Sequence, residues 1–435
     1  MFRKAMNELL KWKESPRRKP LILKGARQVG KTWLMNEFAR GYYDDYIYIS
    51  FDKDTEAKRI FDETKDPKLI LERLGLINGK AILPERTLII LDEIQECPNA
   101  LGGLKYFCED ANEYHVITAG SLLGTYLAKP MSYPVGKVNL LNIYPLDFEE
   151  YLAAADGGMY EYYSSVKSGN DYVSAFHQRM TELYKKYLII GGMPECVSSW
   201  VISGNSEEIS TIQEEIISLY ENDFTKHNGT VNSGKILQVF RSIVPQLAKE
   251  NNEKFIYAAI AKSARAKDFE DAIEWLVSSG IVHRILNVSK NEYPLKAFEM
   301  LNYFKLFLLD VGLLKHLAGL TNKSILLSDA FQFKGQLAEN YVLEQLLPVL
   351  ERSPNFYSYA QDREIDFIIQ HGESIVPIEV KSGGSKNAVS FKSYIEKHKP
   401  QSAVRFSTNE YLKNGALTNI PLYFAGKIFE FCETY

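Results

Sequence analysis

The stretch Leu21-Ile22-Leu23-Lys24-Gly25-Ala26-Arg27-Gln28-Val29-Gly30-Lys31-Thr32 constrains this chain more than any other. Its last eight residues fit G-x-x-x-x-G-K-[ST], the phosphate-binding loop pattern. Leu21-Ile22-Leu23 reads as a short buried strand, and Trp33 to Arg40 as a helix with Leu34 and Phe38 on one face. Strand, loop and helix in that order are what the pattern requires. Gly25 and Gly30 let the backbone curl so that its N–H groups face an anion, and the helix N-terminus adds its positive dipole end. In such a loop Lys31 reaches the β/γ-phosphates of a nucleoside triphosphate, and Thr32 holds Mg²⁺.

A second run, Thr87-Leu88-Ile89-Ile90-Leu91-Asp92-Glu93, is apolar until it ends in two carboxylates. Asp92 fits the residue that anchors Mg²⁺ at a strand's carboxyl end, where α/β sheets bind ligands. Glu93 projects differently and suits polarising the attacking water. A third strand, Tyr114 to Ala119, ends in Thr118-Ala119-Gly120-Ser121. A hydroxyl from Thr118 or Ser121 could sense the γ-phosphate; for Ser121, capping a helix is an equal alternative.

At 435 residues the chain exceeds one ordinary core, so two to four domains are expected. A net charge of −4 gives no global basic field for nucleic acid or an anionic membrane. No apolar run of 18 or more residues occurs, no signal peptide is expected, and Cys97, Cys108, Cys196 and Cys432 lack metal-site spacing. Reduced thiols and a cytoplasmic location are expected.

Strands near residues 21, 47, 88, 115 and 138, with helices between them, make a five-stranded α/β unit. Asp147 followed by Glu150 predicts a capping box that opens a helix. Residues 152–172, rich in Gly, Ser and Tyr, read as a lid or linker. A helix from Phe176 to Ile190 stops at Gly191-Gly192-Met193-Pro194-Glu195. Residues 233–315 read as a winged helix: helices at 236–247, 258–264 and 269–279, a short strand at 255–257, and a wing from 281–288 and 303–309. Asp268, Glu270, Asp271 and Glu274 on its last helix would repel phosphates, which favours a protein-contact role.

A second constellation lies beyond residue 325. Glu339 shares a helix face with Leu343 and Leu346, where a carboxylate is costly unless it meets a cation. Arg363 to Gln370 and Ile375 to Lys381 read as a hairpin, with Glu379 and Lys381 on one face and Asp366 on the partner strand. Three acids and a lysine suit metal-assisted phosphodiester hydrolysis. The acids, Asp366 and Glu379 among them, would bind Mg²⁺ or Mn²⁺, and Lys381 would orient water. The bland alternative is a surface hairpin with a Glu–Lys pair.

Gly25–Thr32, Leu91-Asp92-Glu93-Ile94-Gln95, Thr118–Ser121, Pro134-Val135-Gly136-Lys137, Tyr144–Glu150, Gly191–Glu195 and Phe307–Leu313 together resemble the prokaryotic AAA-type ATPases with a C-terminal domain of uncharacterised function. The resemblance covers nearly all of the chain. It implies an α/β P-loop NTPase core with a parallel sheet in 5-1-4-3-2 order, a winged-helix-like middle, and a restriction-endonuclease-like C-terminal domain similar to PD-(D/E)XK nucleases. Onto that last pattern fall Glu339, Asp366, Glu379 and Lys381. Lys137 stands where a cation from the same or a neighbouring subunit would contact the γ-phosphate. Such relatives often form rings, so a homo-oligomer is expected.

The resulting division is 1–155 for the ATPase, 156–232 for a helical lid or linker, 233–320 for the winged-helix-like part and 321–435 for the nuclease-like part. The expectation is an ATP- and Mg²⁺-binding ATPase coupled to a nuclease-like domain acting on DNA, with no membrane partner. The rival is an ATP-dependent switch whose C-terminal domain binds a partner or nucleic acid without cutting. A scaffold that binds nucleotide without hydrolysis fits less well, because it has no need of Glu93.

Overall fold

The computed structural model describes residues 1–120, 136–227, 229–249, 254–260, 265–327, 333–360, 363–383 and 389–432. They form two compact units: residues 2–144 with 278–281, and residues 145–277 with 282–435.

The N-terminal unit is built on strands β1 Leu21–Lys24, β2 Asp45–Ser50, β3 Thr87–Asp92, β4 His115–Ala119 and β5 Asn139–Asn142. Their order is β2-β3-β4-β1-β5, and every pairing is parallel. Read from the other edge this is 5-1-4-3-2, as the resemblance implied. The strands β3 and β4 are buried throughout, which their apolar runs foretold, because a central parallel strand is covered on both faces. One core cluster packs Ile47, Ile49, Ile89 and Leu91 of the sheet against Ile60, Phe61, Leu74, Leu104 and Phe107 of the helices. Since all strands run the same way, their carboxyl ends share one edge. The loop after β1 and the acid pair ending β3 are brought together there.

In the C-terminal unit the capping box forms as predicted: Asp147 accepts from the Glu150 amide (2.9 Å), and Glu150 accepts from the Asp147 amide (3.2 Å). Residues 152–172, read as a lid or linker, are partly helical. They include the helix Gly157–Ser165, whose Tyr163 is 1% exposed and stacks on Phe424 at 5.1 Å. The Gly/Ser content suggested flexibility, but the tyrosines supply enough apolar area to dock the segment.

The helix His177–Ile190 ends at Gly191 as predicted. The structure also explains why Gly191–Glu195 and Phe307–Leu313 stand out. The wholly buried Asp310 accepts from the amides of Gly192 (2.6 Å) and Leu313 (2.9 Å). A Cβ at Gly191 would sit 2.3 Å from its Oδ1. Burial pushes the Asp310 carboxyl up to about 6, against the pull of those amides. The two motifs form one internal brace.

An eight-stranded sheet runs β12-β13-β11-β10-β9-β8-β6-β7. Its strands are β6 Val282–Val288, β7 Glu299–Leu308, β8 Asn355–Ala360, β9 Arg363–His371, β10 Ser374–Lys381, β11 Ala403–Ser407, β12 Leu412–Asn414 and β13 Leu417–Pro421. The segments expected to form a winged helix are arranged as follows. The would-be wing is the antiparallel β6–β7 hairpin, but it is the edge of this larger sheet, with Asn287 of β6 paired to Phe356 of β8. Residues 255–257 form no strand; Phe255 donates one backbone bond to Phe304 (2.7 Å) and a 3₁₀ turn follows at Tyr257–Ala259. Residues 261–264 of the expected helix lie outside the described residues. Val282, Ile285 and Val288 of β6 are buried, so the strand is covered within the larger sheet rather than left as a free wing.

Candidate nucleotide site and a second acid cluster

The loop between β1 and the helix Lys31–Tyr42 is tightly held. A Cβ at Gly25 would lie 2.2 Å from the Ile143 carbonyl oxygen, so only glycine fits. The buried Arg3, far off in sequence, donates through Nη1 to the Val29 carbonyl (3.3 Å) and through Nη2 to that of Tyr144 (2.7 Å). The Lys31 ammonium donates to the carbonyls of Gly25 (2.8 Å) and Ala26 (2.6 Å). Burial pushes its pKa down to about 8; Glu93 and Asp92 oppose that, and Arg27 adds to it.

Thr32 Oγ1 donates to Asp92 Oδ2 at 2.7 Å, which joins the two predicted Mg²⁺ residues. Tyr48 of β2 donates to the same oxygen at 2.8 Å, and the Glu93 amide donates to Asp92 Oδ1 at 3.0 Å. Glu93 itself has φ 49°, a left-handed conformation rare for a residue with a side chain. That turn ends β3 and sends the Glu93 carboxylate off the strand line, where Gln95 Nε2 donates to it at 2.5 Å. Thr118, at the end of β4, is fully buried, and its hydroxyl has no hydrogen-bond partner among the described residues. Ser121 lies outside the described residues.

Lys137 is placed elsewhere. It precedes β5, whose Asn139 aligns with Leu21 at the start of β1, so it lies at the sheet edge opposite the phosphate-binding loop. It pairs with Glu109 at 2.7 Å. Within one chain this position rules out contact with a phosphate held by that loop, because the length of the strands intervenes.

The second cluster joins four elements of the C-terminal unit. Glu339 comes from the helix Lys334–Leu346, Glu364 and Asp366 from β9, Glu379 and Lys381 from β10, and Lys305 from β7. Asp366 Oδ2 accepts from the Val380 amide at 2.7 Å, which ties β9 to β10. Lys381 Nζ lies 2.5 Å from Glu379 Oε1, so the predicted shared face is real. Lys305, 3% exposed, pairs with Glu364. Burial, then the charge of Asp366, pushes the Glu339 carboxyl up to about 8 and that of Glu379 up to about 7. Burial also pushes Glu364 up to about 7, with Lys305 pulling it back. Burial works against the Lys305 and Lys381 ammoniums, yet the surrounding acids raise both above the usual lysine range. Among the described residues no group of three or more His, Cys, Asp or Glu is drawn together as ligands for one ion.

Arg3, Tyr48, Lys305 and Glu364 were missed from sequence. Two of them carried a signal. Glu364 stands two residues before Asp366, on the same face of a strand, and Lys305 interrupts the apolar run Phe304–Leu309. Nothing local marked Arg3 or Tyr48.

Residues 17–152 match the family model described as AAA domain. Residues 181–324 match a domain of unknown function, DUF8612, and residues 334–424 another, DUF4143. With its parallel five-stranded sheet, the N-terminal unit has a P-loop ATPase-like fold. No curated protein matches the chain. Among solved structures, the chain is similar to the Walker-type ATPase of Pyrococcus abyssi (14% identity, 73% of this chain and 95% of that one, TM-score 0.44). It is also similar to a signal-transduction ATPase with a tetratricopeptide repeat sensor from Pyrococcus horikoshii (13% identity, 81% and 46%, TM-score 0.28). A third likeness is the Aeropyrum pernix ORC1 protein in complex with DNA (14% identity, 73% and 90%, TM-score 0.27). Among the described residues no helix is long and apolar enough to cross a membrane.

Proposed function

We propose that this chain is a cytoplasmic ATPase that hydrolyses ATP with Mg²⁺. The observation that carries the reading is the 2.7 Å bond between Thr32 and Asp92, with Glu93 turned aside next to it. A hydroxyl and a carboxylate oxygen side by side fit Mg²⁺, which prefers hard oxygen donors and keeps several waters. When bound, the ion neutralises charge on the β- and γ-phosphates. Lys31 supplies a second positive charge to those phosphates, Glu93 polarises the attacking water, and the buried Thr118 hydroxyl is a donor for the γ-phosphate, as Ser121 would be. Gly25 and Gly30 keep the loop backbone open to the anion. The test is ATP turnover by the wild-type and Lys31→Ala proteins. Turnover should fall at least about a hundredfold; unchanged turnover sinks the reading.

For the C-terminal unit we propose metal-dependent cleavage of DNA, with Glu339, Asp366 and Glu379 as the acids and Lys381 as the cation that orients water. The support is an excess of buried carboxylate, a costly arrangement kept where chemistry needs it. Mg²⁺ or Mn²⁺ fits these oxygens in kind, although no three are drawn together. That last fact, with Lys305 and Lys381 already paired, favours a second reading: a nucleotide-driven switch whose C-terminal part binds a partner without cutting. Assembly into a homo-oligomer and the four-part division at residues 155, 232 and 320 belong to the same proposal.

A further inference from the structure

The chain returns to the N-terminal unit for four residues, Ser278 to Ile281, long after that unit's main stretch has ended at Tyr144. These residues follow the helix Ala266–Ser278 and lead into β6. Ser279 is 3% exposed and Ile281 2%. Gly280 between them has φ +78°, and a Cβ there would lie 3.1 Å from the Ala26 amide nitrogen and 3.5 Å from the Gly25 carbonyl carbon.

The two residues nearest that Cβ position are the two whose carbonyls hold the Lys31 ammonium. They cannot easily yield. Ala26 is 2% exposed, and Gly25 already approaches the Ile143 carbonyl so closely that no side chain fits. The Ile143 amide in turn donates to the Lys24 carbonyl at 2.6 Å. The loop backbone is thus boxed, with Gly280 as the wall supplied from the far end of the sequence.

We propose that the Ser278–Ile281 turn is a positioning element of the phosphate-binding loop. It sets where Gly25, Ala26 and therefore Lys31 sit, and it makes nucleotide binding and the placement of this turn reciprocal. Gly280 is a positioning residue: it acts on the phosphates through the loop. The helix Ala266–Ser278 precedes it and β6 follows it. The proposal rests on the nucleotide-binding reading of the loop.

The test compares Gly280→Asn with Gly319→Asn. Gly319 also has a left-handed backbone, φ +65°, but nothing lies within 4 Å of its Cβ position. Asparagine tolerates that conformation, so the pair isolates the contact from backbone strain. Affinity for Mg²⁺-ADP, measured by calorimetry, should fall about tenfold or more in Gly280→Asn, since overpacking a closed contact costs that much. It should stay within about twofold in Gly319→Asn. Gly280→Ala serves if the asparagine variant does not fold. In the wild type, adding Mg²⁺-ADP should slow amide hydrogen exchange at residues 278–281. Wild-type affinity in both Gly280 variants, or exchange in the turn untouched by nucleotide, overturns the proposal. Lys31→Ala is the separate control. If it too binds as the wild type does, the nucleotide reading itself fails and this inference falls with it.

Discussion

The nucleotide site and the C-terminal cluster both set lysine beside carboxylates, yet burial works on opposite partners. At the first, the lysine is the group left short: Lys31 is pushed down to about 8 despite Asp92 and Glu93. At the second, the carboxylates are left short: Glu339 rises to about 8 and Glu379 and Glu364 to about 7, while Lys305 and Lys381 rise further into their charged form. A buried ammonium without full compensation favours an incoming anion. Buried acids without full compensation favour a cation or a proton. The same residue types therefore leave an ammonium short of compensation in one unit and carboxylates short of it in the other.

The largest expected effect tests whether the second site does chemistry. Wild-type protein with Mn²⁺ should nick supercoiled DNA, and Asp366→Ala should not, with ATP turnover equal in both. ATP turnover without cutting by the wild type would favour the switch reading and leave the comparison one of binding sites only.

Next in size is a stability effect at Glu339. Its carboxyl is raised in the folded protein from 4.5 to about 8. Below pH 4.5 it is protonated in both states and costs nothing. As pH rises from 4.5 through 8 the folded protein loses stability, because the unfolded chain ionises first. Glu339→Gln removes that loss and should be more stable than wild type above pH 8 by about 1–3 kcal/mol. Below pH 4.5 the two should coincide. Urea unfolding at both ends decides it; a less stable variant at high pH would mean that Lys305 and Lys381 compensate the acid fully, and the contrast between the sites would collapse.

The smallest effect concerns Tyr48, which donates to Asp92 Oδ2 beside Thr32. Tyr48→Phe removes about 1 kcal/mol of interaction, so the Mg²⁺ concentration for half-maximal ATP turnover should shift several-fold. A shift of a hundredfold would make Tyr48 a principal determinant of the site, and no shift would make its bond incidental.

The two sites also differed in how far they could be read in advance. The phosphate-binding loop is contiguous, and its glycines, lysine and threonine act through backbone geometry within one turn of chain. The Asp92-Glu93 pair ends an apolar run, so its place at a strand tip was legible too. In the second cluster, Asp366, Glu379 and Lys381 were found by strand alternation and Glu339 by helix spacing. Lys305 was not found, because a residue on β7 and one on β9 share no local pattern. The wing expected from 281–288 and 303–309 had a related limit: periodicity gives a hairpin but does not say which sheet it joins. In 152–172 the composition said nothing of where the segment packs, whereas Tyr163 stacks on Phe424.

The sequence by itself determined the strand–loop–helix that can cradle phosphate, the acid pair at the end of β3, the capping box at Asp147 and the alternation of the acids on β9 and β10. These follow from backbone sterics and side-chain period, which act over a few residues. Only the tertiary structure decided that Tyr48 shares Asp92 with Thr32, that Lys305 compensates Glu364, that Lys137 faces away from the loop, and that Gly280 walls it. Charge compensation and close packing act through space, where separation along the chain carries no information.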